Sequence, residues 1–184
     1  MSNRSMTERV ATVGSIDVTG TFYRHAARGR DAFAGGPGGR WGATFPVIYL
    51  GRPQASIVVE AYRHLVEEAG VPAHLVKPRT EYVVPVAVTR ILDLRNSVHL
   101  ALVGLADDDV HSLVDDYDAC QAVAAAAHQL RLHGVLAPAA TGLGETLALF
   151  RERLPAGELP VPSEERQWEQ LPADPRSLRH AASS

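Results

Sequence analysis

The residues best suited to chemistry lie between positions 36 and 60, where a glycine-rich loop, an apolar run and a helix are expected in succession. The loop carries Arg40, the apolar run contains Tyr49, and the helix carries Glu60. Glycines let the backbone bend sharply and approach a ligand closely. An arginine in such a loop is a permanent cation whose planar donor fork suits phosphate. A cation, an aromatic ring and a carboxylate on consecutive elements predict a site for an anionic nucleotide.

Charge is unevenly distributed, although the formal net charge is only −3. Between positions 21 and 59 the charged residues are Arg24, Arg28, Arg30, Arg40 and Arg52, with Asp31 as the single acid. Between positions 107 and 118 there are six aspartates and no lysine or arginine. Two interpretations stay open. The clusters are either two solvated faces of opposite sign or, since local charge focuses potential whatever the total, one of them lines a positive cleft for an anionic small molecule.

Composition and motifs exclude several other classes of function. Cys120 is the only cysteine, so no internal disulfide can form and a cytoplasmic setting is expected. No signal region and no apolar run long enough to span a bilayer is found in the sequence. The eight histidines lack metal-site spacing, and neither a Walker loop nor a G-x-S-x-G elbow is present. We therefore expect no metal, no membrane and no direct binding of nucleic acid.

The elements that must position these residues follow from periodicity and from Gly and Pro punctuation. Strands are predicted at 21–25, 45–50, 81–88, 91–94, 134–138 and 146–150, and helices at 53–69, 97–105 and 119–132, the last capped by Asp118. Residues 1–15 are expected to form a loose leader, 16–154 a catalytic domain, and 155–184 a proline-rich tail, docked or mobile. Glu60 lies off the apolar stripe of its helix, which indicates that it is not a core residue.

Taken together, these motifs resemble the RES-domain family, whose members are toxins of RES–Xre toxin–antitoxin pairs. The matching segments are YR at 23–24, GGRW at 38–41, VIYL at 47–50 and the acid at 60. Further segments, CQAV at 120–123 and GVLAPAA at 134–140, are similar to the branch of that family that degrades NAD by phosphorolysis. The resemblance covers about residues 16–160.

The resemblance implies an α/β (α+β) fold with an ADP-ribosyltransferase-like core of two small sheets and flanking helices around an NAD cleft. Arg24 and Arg40 match the two NAD-site arginines of the family, Tyr49 its aromatic residue and Glu60 its catalytic acid. Two departures fall within the implied NAD site. His25 stands where the nearest relatives carry tyrosine, and Asp118 stands where a serine is expected. A carboxylate beside a phosphate subsite would repel it, so Asp118 bears on activity or on the choice of acceptor.

The implied reaction converts NAD⁺ and inorganic phosphate to nicotinamide and ADP-ribose 1″-phosphate, with hydrolysis as a slower variant. Glu60 would stabilise an oxocarbenium-like ribose. Arg24 and Arg40 would bind the pyrophosphate or the attacking phosphate. Tyr49 would stack on the nicotinamide ring, and His25 would contact a ribose hydroxyl.

Two alternatives remain open. One is ADP-ribosyl transfer to a protein or small-molecule acceptor, and the other is a catalytically weak protein that binds an antitoxin. The resemblance also implies an Xre-type helix–turn–helix antitoxin as partner, and no cofactor beyond NAD⁺ and phosphate as substrates.

Overall fold

The computed structural model describes residues 4–112 and 116–177. Its α-helices are α1 (Met6–Val13), α2 (Gln54–Ala61), α3 (Ser97–Val103), α4 (Asp107–His111) and α5 (Asp118–Gln129). A π-helical turn, Tyr62–Glu68, continues α2, and single 3₁₀ turns occupy Ala73–Leu75, Arg151–Arg153 and Ala156–Glu158. None of the helices within these ranges has the length and apolar character needed to cross a membrane.

The strands form one hydrogen-bonded network in the order β1-β2-β5-β4-β3-β6, with a further pairing between β1 and β3. Their bounds are β1 (Ile16–Ala27), β2 (Val47–Arg52), β3 (Arg79–Asp93), β4 (Gly134–Pro138), β5 (Glu145–Phe150) and β6 (Glu164–Trp168). All neighbours are antiparallel except β3 and β4, which run parallel. Because β3 pairs with both β4 and β1, strands β1 to β5 close into a ring, and β6 extends β3 outside it.

This ring differs from the expectation of two separate small sheets. Its weakest links are the β1–β2 junction, which is the single pair Tyr23–Gly51, and the β3–β4 junction, Ile91–Gly134 to Asp93–Leu136. These short junctions join a β1–β3–β6 half to a β2–β5–β4 half. The two halves therefore form one continuous sheet, because the long strand β3 reaches both of them.

Alternating residues divide the apolar side chains between the inside and the outside of the ring, as the two-residue period of a strand requires. Along β2, Ile48 and Leu50 belong to one buried cluster, whereas Val47 belongs to another. The cluster that contains Ile48 fills the interior, and its buried members all come from the five ring strands: Val18, Phe22, Ile48, Leu50, Val84, Val86, Val88, Ile91, Leu136, Leu147 and Leu149. The other cluster covers the outer face with α1, α3, α4 and α5.

Helix α1 lies where a loose leader is expected, so that prediction is wrong for residues 6–13. Ser5 caps the helix by accepting a hydrogen bond from the Glu8 N–H, while the Glu8 carboxylate accepts one from the Ser5 N–H at 2.7 Å. The helix packs against α3 and α5, and Val10 is fully buried. This short polar segment is helical because a capping box starts it and one apolar side chain enters the core.

Strand β3 is one continuous element, whereas the sequence predicts two strands, 81–88, made irregular by Pro85, and 91–94. The proline is tolerated because of where it lies. On the edge of β3 away from β1, β6 pairs with residues 79–83 and β4 pairs with residues 91–93. In the described part of the chain, no strand pairs with that edge at Pro85, so its missing N–H costs no ladder bond there.

The proline-rich segment 155–184, expected to be a tail, contributes an element to the sheet. Strand β6 pairs antiparallel with the start of β3, from Arg79–Trp168 to Val83–Glu164. Further along, the Tyr62 hydroxyl donates to the Pro172 carbonyl at 2.7 Å, and Arg176 pairs with Glu67 at 2.5 Å. The described part of the segment is therefore docked, and the sheet extends past the expected boundary at residue 154.

Candidate functional site

A cleft of about 350 Å³ opens where β1 and β2 separate. The two strands pair only at Tyr23–Gly51. Beyond that pair they diverge, and the space between them is closed by α2, the π-helical turn and the loop before β2. The residues that line the cleft are Arg24, His25, Gly39, Arg40, Trp41, Tyr49, Leu50, Gly51, Ser56, Ile57, Glu60, Arg63, His64, Tyr117, Pro138, Ala140 and Thr146. A weak strand junction is therefore what creates room for a ligand.

Glu60 stands near the end of α2 with its carboxylate at the cleft wall. Its side chain is 26% exposed, so it is accessible but not free in solvent. Oε2 lies 3.0 Å from His64 Nε2, and Oε1 lies 3.7 Å from Arg63 Nη1. This partial exposure agrees with the expectation from helical periodicity that Glu60 is not a core residue. The carboxylate is thus available to a ligand and flanked by two basic side chains.

Arg24 projects from β1 into the same cleft. Its Nη1 donates to the Tyr49 carbonyl at 2.7 Å, and its Nε is buried with no hydrogen-bond partner in the described part of the chain. Burial lowers the pKa of Arg24, and the charge of Arg79 lowers it further. The guanidinium remains a cation, because an arginine pKa lies far above neutrality. Among the residues that the structure describes, only the Tyr49 carbonyl accepts a hydrogen bond from this guanidinium, which leaves donor capacity for an anion.

Arg40 is held by the chain before α5. Nη1 and Nη2 donate to the carbonyls of Asp109 and Ser112, each at 2.5 Å, and the guanidinium lies 4.6 Å from the centre of the Tyr117 ring. The residue is 8% exposed. Because both terminal nitrogens are engaged by backbone carbonyls at the end of α4, Arg40 positions that segment at the cleft as well as contributing its charge.

Tyr49 fastens the glycine-rich loop. Its hydroxyl accepts from the Trp41 N–H at 3.0 Å and donates to the Gly38 carbonyl at 3.1 Å. Gly39 has φ +75°, and a Cβ there would lie 2.7 Å from the Tyr49 hydroxyl, so the close approach requires glycine. Burial raises the pKa of Tyr49 to about 12. The phenol therefore stays protonated at neutral pH, and the ring is left to face the cleft.

His25 is a neutral imidazole in this environment. Its Nδ1 accepts a hydrogen bond from Arg79 Nε at 2.7 Å. An arginine only donates, so the imidazole proton must be on Nε2. Burial lowers the pKa of His25 to about 3, and the charges of Arg79 and Arg24 act in the same direction. The ring also stacks on Trp168, with centroids 5.4 Å apart. His25 is thus fixed as a donor from Nε2.

Asp118 is the predicted site residue that the structure does not bring to the cleft. It is exposed and begins α5, and the residue at the helix cap position is Tyr117. Tyr117, its neighbour, lines the cleft and lies over Arg40. The expectation that Asp118 caps α5 is therefore wrong by one residue, and the expected contact between Asp118 and a phosphate subsite has no support from this geometry.

Sequence reasoning did not assign several polar or aromatic residues of the cleft wall to the site, among them Ser56, Arg63, His64, Tyr117 and Thr146. Arg63 is the most buried of the cations there, with a side chain 6% exposed. A signal for Arg63 and His64 is present in the sequence, because residues three and four positions after Glu60 share its helix face. The described residues contain no group of three or more His, Cys, Asp or Glu side chains placed to hold a metal ion.

Comparisons with known proteins find similarity over most of the chain. The RES domain model matches residues 16–171. The NAD(+) phosphorylase MbcT of Mycobacterium tuberculosis is 31% identical over 164 residues, which cover 85% of this chain and 87% of that protein. A probable NAD(+) phosphorylase of the same organism, Rv3189, is 31% identical over 169 residues, covering 88% of this chain and 79% of its own length.

The fold is also similar to a solved structure. The crystal structure of the M. tuberculosis MbcT–MbcA toxin–antitoxin complex superposes with a TM-score of 0.76 at 28% identity, covering 97% of both chains. The resemblance inferred from the GGRW, VIYL and Glu60 block is confirmed. The chain belongs to the RES domain family.

Proposed function

We propose that this protein is an NAD⁺ phosphorylase that acts as the toxin of a toxin–antitoxin pair. Two relatives of 31% identity that align over most of the chain are named NAD(+) phosphorylase or probable NAD(+) phosphorylase. The observation that carries the proposal is that, among the described residues that line the cleft, one carboxylate, Glu60, lies with three arginines, Arg24, Arg40 and Arg63. An excess of positive charge suits a dinucleotide pyrophosphate, and a lone carboxylate suits a cationic transition state.

In the proposed reaction the bond between C1″ of the ribose and the nicotinamide nitrogen breaks, and its electron pair returns to the pyridinium ring. Nicotinamide therefore leaves as a neutral molecule and needs no general acid. A phosphate oxygen then forms the new bond to C1″ and gives ADP-ribose 1″-phosphate. Glu60 stabilises the positive charge that develops on the ribose between these events.

The remaining residues bind and orient the dinucleotide. Arg24 has donors left after its single bond to the Tyr49 carbonyl, so it can receive a phosphate oxygen. The face of Tyr49 provides a stacking surface for nicotinamide, since its hydroxyl is engaged by the loop. His25 offers the Nε2 proton to a ribose hydroxyl, because Arg79 occupies its Nδ1. Asp118 has no role in this proposal.

The proposed setting is the cytoplasm, where NAD⁺ is available, with an Xre-type helix–turn–helix antitoxin that blocks the cleft. Support for an antitoxin comes from the structural relative, which is a toxin–antitoxin complex. An ADP-ribosyltransferase-like arrangement is proposed for the ring of strands around the cleft, in agreement with the diverging β1 and β2.

Incubating the purified protein with NAD⁺, with and without inorganic phosphate, tests the function. We expect nicotinamide and ADP-ribose 1″-phosphate, identified by mass spectrometry and phosphorus NMR, at a rate that depends on phosphate. If ADP-ribose forms at the same rate without phosphate, the reaction is hydrolysis and not phosphorolysis. A labelled acceptor would point to ADP-ribosyl transfer, and unconsumed NAD⁺ would refute an NAD⁺-degrading activity.

A further inference from the structure

The π-helical turn after α2 brings four charged side chains into a closed ring. Glu60, Arg63 and His64 are neighbours by ordinary helical spacing, three and four residues apart. Arg63 and Glu68 are five residues apart, and in an α-helix such residues face different directions. A π-helical turn bonds residues five apart, so it places Arg63 and Glu68 together. The irregularity in the helix is therefore what closes the ring.

Each carboxylate of the ring contacts both basic side chains. Glu60 Oε2 lies 3.0 Å from His64 Nε2, and Glu60 Oε1 lies 3.7 Å from Arg63 Nη1. Glu68 Oε2 lies 2.7 Å from His64 Nδ1, and Glu68 Oε1 lies 3.2 Å from Arg63 Nε. Both contacts of His64 are short enough for hydrogen bonds, whereas the distance from Glu60 Oε1 to Arg63 is longer than a hydrogen bond. Glu60 is therefore held mainly through Oε2, and Oε1 is the oxygen left for a ligand.

His64 must be doubly protonated to donate to both carboxylates. A neutral imidazole carries one N–H and could satisfy only one of them. The hydrogen bonds and charges of Glu60 and Glu68 raise the pKa of His64, against partial burial, which lowers it. Outside the ring, His25 on β1 is close enough for the charge of His64 to lower the pKa of His25. His25 stays neutral, so it does not oppose the imidazolium.

We propose that His64 is a positioning residue for Glu60: it holds Oε2 from Nε2 while Glu68 holds its Nδ1, so that Oε1 faces the ribose of the bound dinucleotide. This inference rests on the proposed function for its kinetic consequence. It also predicts a physical coupling between His64 and Glu60 that exists whether or not the protein degrades NAD⁺.

Two substitutions separate positioning from a general structural effect. The amide nitrogen of glutamine can replace imidazole Nε2 as a donor to Glu60, whereas leucine cannot donate. We expect His64→Leu to lower kcat for NAD⁺ by about 10- to 100-fold, since a small misplacement of a catalytic group has an effect of this order. His64→Gln should recover most of that loss, and KM for NAD⁺ should change little in either variant. His74→Leu is the matched control, because His74 is an exposed histidine on a nearby turn outside the cleft lining.

Wild-type kcat in His64→Leu, or equal losses in the leucine and glutamine variants of a folded protein, would overturn the positioning role. An NMR titration of the His64 ring adds a measurement that is independent of activity. Its pKa should fall in Glu60→Gln and in Glu68→Gln. An unchanged His64 pKa in Glu60→Gln would refute the contact itself. If the wild-type protein leaves NAD⁺ intact, the proposed function fails, and this titration still decides the coupling.

Discussion

At the scale of single residues, the cleft is built from side chains whose orientation other groups of the protein already fix. Tyr49 is held by two backbone groups of the glycine loop, and Arg40 by two carbonyls near α4. His25 is held by Arg79 and Trp168. Such groups need little reorganisation when a ligand binds, and preorganised polar groups are the effective ones in catalysis. The charge and donor pattern offered to a substrate is thus set before it arrives.

The first residue-scale prediction concerns Glu60. Replacing it with glutamine keeps the shape and removes the negative charge, so the oxocarbenium-like ribose loses its stabilising group. We expect Glu60→Gln to lose about 10²- to 10³-fold in NAD⁺ turnover, or about 3 kcal/mol of transition-state stabilisation. The fold should remain, since the side chain is partly exposed. Nicotinamide release under saturating NAD⁺ is the measurement.

Glu67→Gln is the control for that substitution. Glu67 lies on the same π-helical turn but pairs with Arg176 and is outside the cleft lining. It should leave turnover close to that of the wild type. A Glu60→Gln enzyme as fast as the control would remove the carboxylate from the mechanism.

The second residue-scale prediction concerns His25 and pH. Its pKa is about 3 in the folded protein and 6.5 in the absence of a protein environment. Between these pH values the unfolded chain binds a proton at His25 that the folded protein does not bind. The contribution of His25 to the free energy of unfolding is therefore complete above pH 6.5 and decreases as the pH falls below that value. The contribution to the free energy of unfolding should reach about 1 kcal/mol per pH unit.

Urea unfolding of the wild type and of His25→Gln at several pH values below neutrality measures this contribution. The variant has no imidazole to titrate, so its stability should depend less steeply on pH. The other carboxylates contribute equally to the pH dependence of both proteins, so their effect cancels when the two free energies of unfolding are subtracted. Parallel pH dependences would show that His25 titrates normally in the folded state.

At the scale of elements, β6 braces the wall of the cleft. It pairs with β3 on the side away from β1, and its last residue, Trp168, is 7% exposed. Trp168 packs with Ile57, Val58 and Ala61 of α2 and stacks on His25 of β1. The helix that carries Glu60 and the strand that carries Arg24 are therefore in contact through a residue from the C-terminal segment.

Trp168→Ala should accordingly weaken both the fold and the site. Removing a buried aromatic side chain typically costs about 3 kcal/mol or more of stability. We expect a lower melting temperature and, below it, slower NAD⁺ turnover, because α2 and His25 lose their common support. Glu165→Ala on the same strand is the control, since Glu165 is exposed and should change neither property. Equal melting temperatures in the two variants would contradict the bracing role of β6.

At the scale of the whole molecule, closure of the strand ring determines where a ligand can bind. Strands β1 and β3 pair along most of their length, and β2 and β5 do so as well. The two halves meet at β1–β2 through one residue pair, so the ring opens at that junction. Helices α1, α3, α4 and α5 pack on the outside of the ring with the second buried cluster. The cleft at the open junction is therefore lined by residues from both halves.

The sequence by itself determined the family and most of the local elements. The family follows from the GGRW, VIYL and Glu60 block, because the loop glycines, the loop cation and the helix acid keep a characteristic spacing along the chain. Strands β2, β4 and β5 follow from runs of apolar and β-branched residues between turn signals. Arg24, Arg40, Tyr49 and Glu60, which were singled out from sequence, line a common cleft.

Only the tertiary structure decided which groups these residues contact. Asp118 and Tyr117 are adjacent in sequence, but Tyr117 is the cap residue of α5 and lines the cleft, whereas Asp118 is the first helical residue and does not. Trp168 and His25 stack on each other although they are far apart in the sequence, and helix or strand periodicity cannot predict such a contact. The π-helical turn contacts Pro172 through Tyr62 and Arg176 through Glu67, and each of these contacts joins residues more than 100 positions apart in the sequence. Local propensity sets elements, whereas contacts between distant residues depend on how the whole core packs.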